Sequence, residues 1–158
     1  MSESKILSTG AANVVLEIEI DAPVSTTWNA MIQDIGQWWR RDFLICENST
    51  GMTLEPHVGG LLLERAGDDG CGYAWGSIIS FQPESHLGYV AQIVPPFGGP
   101  AQSVVQIALE TLENDRTKLT LTDSIIGHVT DDLFSCLEDG WRMLYADGGL
   151  KTYVESLG

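Results

Sequence analysis

The chain has 158 residues, with 22 acidic and 8 basic side chains and a formal net charge of −14 at pH 7. A field of this sign repels nucleic acid phosphates and anionic membrane surfaces, so it argues against nucleic-acid binding. The apolar content of 44% and the lack of a fixed-period repeat are typical of one globular domain. We assign this domain to residues 13–158, after a flexible N-terminal segment at residues 1–12.

The three cysteines and three histidines predict neither disulfides nor a metal site. Cys46, Cys71 and Cys136 are odd in number and lack a Cys-x-x-Cys spacing, so we expect buried, reduced thiols and no metal or other cofactor. The polar N-terminus has no apolar run of signal-peptide length, and no stretch approaches the roughly 18 apolar residues that span a bilayer. A cytoplasmic protein without membrane insertion is therefore expected.

The first predicted elements are a strand and two helices. Apolar and acidic residues alternate near the end of Val14–Ile20, which is typical of a half-buried strand. Residues 24–35 then carry apolar side chains at helical spacing. Gly36 ends this helix, and the following segment with Trp38 and Trp39 is predicted to form a short second helix or turn.

From Met52 onward, short apolar or alternating segments separated by turn residues predict further strands. These strands are expected at residues 52–56, 60–66, 71–81, 86–94, 103–112 and 117–126. Hairpins joined in series favour an antiparallel sheet, and a late amphipathic helix must bury its apolar face against that sheet. The predicted fold class is α+β: a helix-grip fold in which a strongly bent antiparallel sheet of about seven strands surrounds a long C-terminal helix.

Glycines in the final helix indicate where it bends and where it leaves space. Gly148 and Gly149 coincide with a shift of the apolar arc around the helix and predict a bend there. Gly140 lies within the apolar arc beside Trp141 and Leu144, so it removes a side chain from the surface that faces the sheet. We therefore expect a cavity between this helix and the sheet.

Several motifs together resemble the SRPBCC (START/Bet v-like) superfamily. Residues 54–64 contain Val-Gly-Gly-x-x-x-Glu, residues 73–87 contain Trp-Gly with Pro seven positions later, and residues 139–145 contain Gly-Trp. Within the superfamily the chain resembles the branch of the heat-shock-protein-90 ATPase activator homology (AHSA-type) domain, over roughly residues 13–155. The resemblance implies a helix-grip fold with a cavity that often holds apolar or amphipathic molecules. Members include lipid carriers, hormone receptors, polyketide cyclases and co-chaperone domains.

Asp123 is the sharpest candidate for chemistry. The alternation of its strand places it on the apolar face, where an unpaired carboxylate could anchor a ligand or act as a general base. Alternatively, a bulge turns it to solvent, or it pairs with Arg65. If Leu61 and Leu63 point inward, Arg65 could also point inward and hold a carboxylate ligand or Asp123, whereas a surface arginine is the commoner outcome.

The aromatic residues supply the rest of the predicted site. Core packing accounts for most of them, but Trp75, Tyr89 and Trp141 combine large apolar faces with a polar tip and suit a cavity wall. Gly140 and Leu144 complete this expected cavity.

The sequence therefore predicts a protein that binds a small hydrophobic or aromatic molecule, and a homodimer is compatible with it. The first alternative is a polyketide cyclase/dehydratase-like enzyme, with Asp123 as general base and Arg65 or Tyr89 orienting a carbonyl. Neither a Gly-x-Ser-x-Gly elbow nor a phosphate-binding glycine loop is present, so catalysis is less favoured than binding. The second alternative is an interaction module, chaperone-associated for example, whose acidic face meets a basic partner.

Overall fold

The computed structural model describes residues 3–158, and in this part of the chain it contains seven strands and four α-helices. The strands are β1 (Gly10–Ile20), β2 (Gly51–Leu54), β3 (Leu61–Arg65), β4 (Gly72–Gln82), β5 (His86–Ile93), β6 (Ala101–Leu112) and β7 (Arg116–Gly127). The helices are α1 (Val24–Gln33), α2 (Ile35–Trp38), α3 (Asp131–Tyr145) and α4 (Leu150–Glu155). Residues 1 and 2 of the expected N-terminal segment lie outside the described residues, and β1 begins at Gly10.

The strands form one antiparallel sheet in the order β1-β7-β6-β5-β4-β3-β2. Successive hairpins build β2 to β7, and β1 adds to the free edge of β7. Register shifts interrupt the β3–β4 pairing at Leu62/Leu63 and the β4–β5 pairing at Ile78/Ser80. Such irregularities bend a sheet. The predicted α+β helix-grip architecture is confirmed.

The inner face of the long strands carries both the core and the site. Tyr89 on β5 pairs with Val105 on β6, and Val105 pairs with Asp123 on β7, so the three side chains form one inward row. All three are buried. The last helix, α4, packs against α1 and α2, and the Tyr153 hydroxyl donates to Asp34 Oδ2 at 3.0 Å.

The C-terminal helix is interrupted where a bend was expected. α3 ends at Tyr145, and α4 starts only at Leu150. Between them Gly148 has a φ of +87°, and a Cβ on Gly149 would lie 1.9 Å from the carbonyl oxygen of Leu144. Both positions therefore require glycine, because a side chain would be strained at the first and would clash with backbone at the second. Within residues 3–158, no helix combines the length and apolar composition needed to cross a membrane.

Two expectations from the sequence are wrong. On β3, Leu62 and Glu64 are the buried residues, and Arg65 is exposed. A carboxylate normally stays on the outer face because burial is costly, but N–H donors from a neighbouring loop and an indole offset that cost for Glu64. The thiols are not buried either: Cys46 and Cys71 lie in loops, where Cys46 is partly exposed and Cys71 exposed, and Cys136 is exposed on α3.

Candidate functional site

A cavity of about 330 Å³ lies between α3 and the concave face of the sheet. Its wall includes the indole rings of Trp39, Trp75 and Trp141. Phe97 and Cys136 are exposed lining residues and mark the mouth. This volume lies within the usual range of small-molecule sites, which is about 300–1,000 Å³, and a mainly apolar wall with a few polar groups is also typical of them.

Asp123 forms the polar part of the cavity wall. Its side chain is fully buried, and its Oδ2 accepts a hydrogen bond of 2.9 Å from the indole Nε1–H of Trp141 on α3. The carboxylate neither turns to solvent nor pairs with Arg65, which is exposed. Thus the sheet supplies the acid, and α3 supplies the donor that holds one of its oxygens.

The surroundings of Asp123 oppose its ionisation. Burial raises the pKa of Asp123, and the hydrogen bond from Trp141 and the nearby Ser103 hydroxyl counteract only part of this effect. Burial also raises the pKa of Tyr89 well above its usual value, and the neighbouring Tyr145 and Asp123 raise it further. The Tyr89 phenol therefore keeps its proton throughout the neutral range.

Unpartnered polar atoms are concentrated in this cavity wall. Among residues 3–158, the buried side-chain polar atoms without a hydrogen-bond partner are Trp39 Nε1, Tyr89 OH, Ser103 Oγ and Asp123 Oδ1. All four residues line the cavity. Leaving a buried polar group unsatisfied costs about 1–3 kcal/mol. Their concentration at one cavity indicates partners from outside the chain, from water or from a bound molecule.

Glu64 holds another part of the wall in place. Its carboxylate accepts hydrogen bonds from the backbone N–H of Cys46 at 2.7 Å, from that of Ile45 at 3.0 Å and from the Trp75 indole at 3.1 Å. Burial alone would raise the pKa of Glu64, but these donors outweigh it and hold the pKa below its usual value. Because Ile45 and Trp75 both line the cavity, Glu64 positions two segments of its wall.

The role of Glu64 in the cavity wall was not predicted from the alternation of side chains on β3. Placing Leu61 and Leu63 inward puts Glu64 on the outer face, whereas β3 alternates regularly in the opposite sense, with Leu62 and Glu64 buried. The signal that could have found it was the Val-Gly-Gly-x-x-x-Glu motif, which ends at Glu64.

Gly76 accommodates the ring of Tyr89. A Cβ on Gly76 would lie 2.6 Å from Cδ2 of Tyr89, so the ring rests directly on the glycine backbone. Any side chain at this position would push the ring away. Both residues of the Trp-Gly pair therefore shape the cavity: Trp75 lines it, and Gly76 sets the position of Tyr89.

The structure brings four of the seven predicted site residues to one cavity. Trp75, Tyr89, Asp123 and Trp141 come from β4, β5, β7 and α3, and all line it. Apart from the pairing of the consecutive strands β4 and β5, contact between these elements could not be read from the sequence.

The other three lie away from the wall. Gly140 is beside the cavity rather than in it, because the nearest neighbour of a Cβ there would be Cε2 of Phe43 at 3.9 Å, and Phe43 is itself a lining residue. Leu144 is buried in the main core. Arg65 is exposed at the end of β3, since the side chains of this strand alternate in the opposite sense to the one expected.

Solved structures identify the fold. An uncharacterized protein from Rhizobium leguminosarum aligns with a TM-score of 0.72 and 20% identity, over 96% of this chain and 99% of its own. Ara h 8.0201 aligns with a TM-score of 0.67 and 12% identity, over 93% of this chain and 99% of its own. The fold is SRPBCC-like (START/Bet v-like). CalU16 from Micromonospora echinospora shares this SRPBCC-like fold, with a TM-score of 0.56 and 20% identity over 89% and 81% of the two chains.

No family model matches the chain, and no curated protein matches it. Since every identity quoted above is 20% or less, these likenesses establish the SRPBCC-like fold alone. Function has to be argued from the site, because proteins of one fold carry many functions.

Proposed function

We propose that this protein binds a small, mainly apolar or aromatic molecule in the cavity between the sheet and α3. The observation that carries the proposal is a cavity of about 330 Å³ whose wall is largely aromatic and aliphatic. Protein interiors are close-packed and leave few voids larger than a water molecule. A cavity of this size with unpartnered polar atoms in its wall is therefore suited to a ligand.

We also infer that the chain is a cytoplasmic member of the AHSA-type branch. The motif residues that suggest this branch are neighbours around the cavity. Glu64 accepts a hydrogen bond from Trp75, and Trp75 and Trp141, which belong to two different motifs, line the same cavity. Motif residues that meet at one cavity support a role for that cavity in the branch.

Filling the cavity should abolish binding. Ala91 lines it, whereas the side chain of Val90, the preceding residue on β5, points to the opposite face. Ala91→Phe is expected to weaken binding of the neutral dye N-phenyl-1-naphthylamine by roughly tenfold or more, measured by fluorescence titration. The matched control Val90→Phe should leave the affinity unchanged.

Two outcomes would count against the binding function. One is a dye that fails to bind the wild-type protein; the other is equal affinity for both variants. Native mass spectrometry of freshly purified protein, followed by organic extraction, provides an independent check. A co-purified apolar molecule that is retained by Val90→Phe and lost from Ala91→Phe would identify the ligand class directly.

The free oxygen of Asp123 favours a second candidate, a polyketide cyclase/dehydratase-like enzyme. Its Oδ1 is unpartnered at the cavity wall, and its pKa is raised toward the pH at which a general base works best. Such a base would take a proton from the carbon next to a ketone carbonyl and later return one. The expected result is deuterium exchange into 4-phenyl-2-butanone in D₂O, followed by NMR, that Asp123→Asn abolishes. Exchange no faster than in buffer alone would rule out this activity.

A further inference from the structure

The cavity has a carboxylate but no cation to balance it. Asp123 is the one acidic side chain in the wall, and the lining residues that the structure describes include no Lys, Arg or His. Arg65, which the sequence offered as one alternative partner, is exposed at the end of β3. Burying an ionised carboxylate is costly unless it is paired with a cation and hydrogen-bonded. One of its two oxygens is hydrogen-bonded to Trp141, and the other has no partner in the chain.

Three hydrogen-bond acceptors, including Asp123 itself, lie on the same inward face of the sheet. Tyr89 and Asp123 both belong to the inward row through Val105, and Ser103 lies two residues before Val105 on the same face of β6. Asp123 Oδ1, Tyr89 OH and Ser103 Oγ can all accept hydrogen bonds, and none of them makes one of acceptable geometry, although the Ser103 hydroxyl lies near enough to Asp123, and Tyr145 near enough to Tyr89, to affect their pKa values. A primary ammonium group carries three N–H donors, so it matches these acceptors in number and in charge.

The aromatic wall suits a cation as well. The Trp39 and Trp75 rings are 5.5 Å apart, the Trp141 and Tyr145 rings are 5.8 Å apart, and the three indoles line the cavity. Aromatic faces attract a desolvated ammonium group. The net charge of −14 also favours the approach of cations and disfavours that of carboxylates.

We propose that the ligand is an organic amine, with an aromatic or aliphatic body among the indoles and a primary or secondary ammonium group at Asp123. This inference rests on the proposed binding function and specifies its ligand class. Trp39 Nε1 can only donate, so it does not contact the ammonium group and remains available to an oxygen elsewhere on the ligand.

Three probes of similar shape test the inference: 2-phenylethylamine, 2-phenylethanol and 3-phenylpropanoate. Their affinities are measured by displacement of N-phenyl-1-naphthylamine. For the wild-type protein the amine should bind roughly tenfold or more tighter than the alcohol, and the carboxylate should bind weakest. Asp123→Asn should remove the preference for the amine. The control Asp139→Asn changes the net charge equally at an exposed position on α3 and should keep that preference.

The outcomes separate the two proposals. If the dye binds but the amine is no tighter than the alcohol, the amine inference is overturned and the binding function stands. The inference also fails if Asp123→Asn, folded by its thermal melt, keeps the full preference. If neither the dye nor any of the three probes binds, the binding function itself is overturned. A shift of the Trp141 indole N–H resonance on adding the amine would support contact at Asp123.

Discussion

Glu64→Ala is expected to lower the free energy of unfolding by about 1–3 kcal/mol, the usual cost of losing hydrogen bonds to a buried charged group and leaving their donors unsatisfied. The substitution leaves the backbone N–H groups of Ile45 and Cys46 and the indole N–H of Trp75 without their acceptor. All three donors lie at or near the cavity wall. Chemical denaturation at neutral pH measures the loss, and binding of the neutral dye should fall with it because Ile45 and Trp75 lose their common anchor.

Glu17→Ala is the matched control. Glu17 lies on the exposed face of β1 and pairs with Lys118 at 3.6 Å on the surface. Exposed pairs of this kind contribute about 0–1 kcal/mol, so its removal should have a small effect. If Glu64→Ala cost no more than Glu17→Ala, Glu64 would not organise the wall.

The pH dependence of the Glu64 contribution has a definite sign. Because its pKa in the folded protein lies below the usual value of 4.5, Glu64 adds stability that is fully present above that pH. The contribution is lost as the pH falls through the lower folded-state pKa. The difference in unfolding free energy between wild type and Glu64→Gln should therefore narrow below pH 4.5. A difference that widens on acidification would contradict this account.

Most of the fold was predictable because its signals are local. The alternation in β1 and the turn residues between the later strands identify seven strands, and short connections make them antiparallel. The break between α3 and α4 was less predictable. Gly148 and Gly149 marked its position, but only the contact of Gly149 with the Leu144 carbonyl explains why the helix stops instead of bending.

The site was predictable only in part, because the orientation of a side chain within its element is a local property, whereas contacts between elements are not. Asp123 and Trp141 each showed an inward orientation in the pattern of their own element, while their hydrogen bond depends on how α3 lies across the sheet. Glu64 was missed because alternation alone assigns a charged residue to the outer face. Its donors come from a loop about twenty residues earlier in the chain, and no periodic pattern records such a contact.

Asp123→Asn is expected to raise the free energy of unfolding at neutral pH by about 1–3 kcal/mol, because burying an ionised carboxylate without a cation costs more than burying a neutral amide. An asparagine oxygen can still accept the hydrogen bond from Trp141, and the amide carries no charge to desolvate. The same variant should lose its preference for amines. A gain in stability coupled to a loss of binding is the mark of a residue retained for function.

The pH dependence separates this explanation from a general packing effect. Burial raises the folded-state pKa of Asp123 above its usual value of 3.8, so its carboxyl favours folding most below that pH, and the benefit is lost as the pH rises through the folded-state pKa. The stability advantage of Asp123→Asn should therefore be small in acid and grow toward neutral pH. Comparing the two proteins cancels the titration of the other carboxylates. If the stability advantage of Asp123→Asn were constant with pH, or largest in acid, Asp123 would not be a buried, ionised carboxylate that lacks a cation.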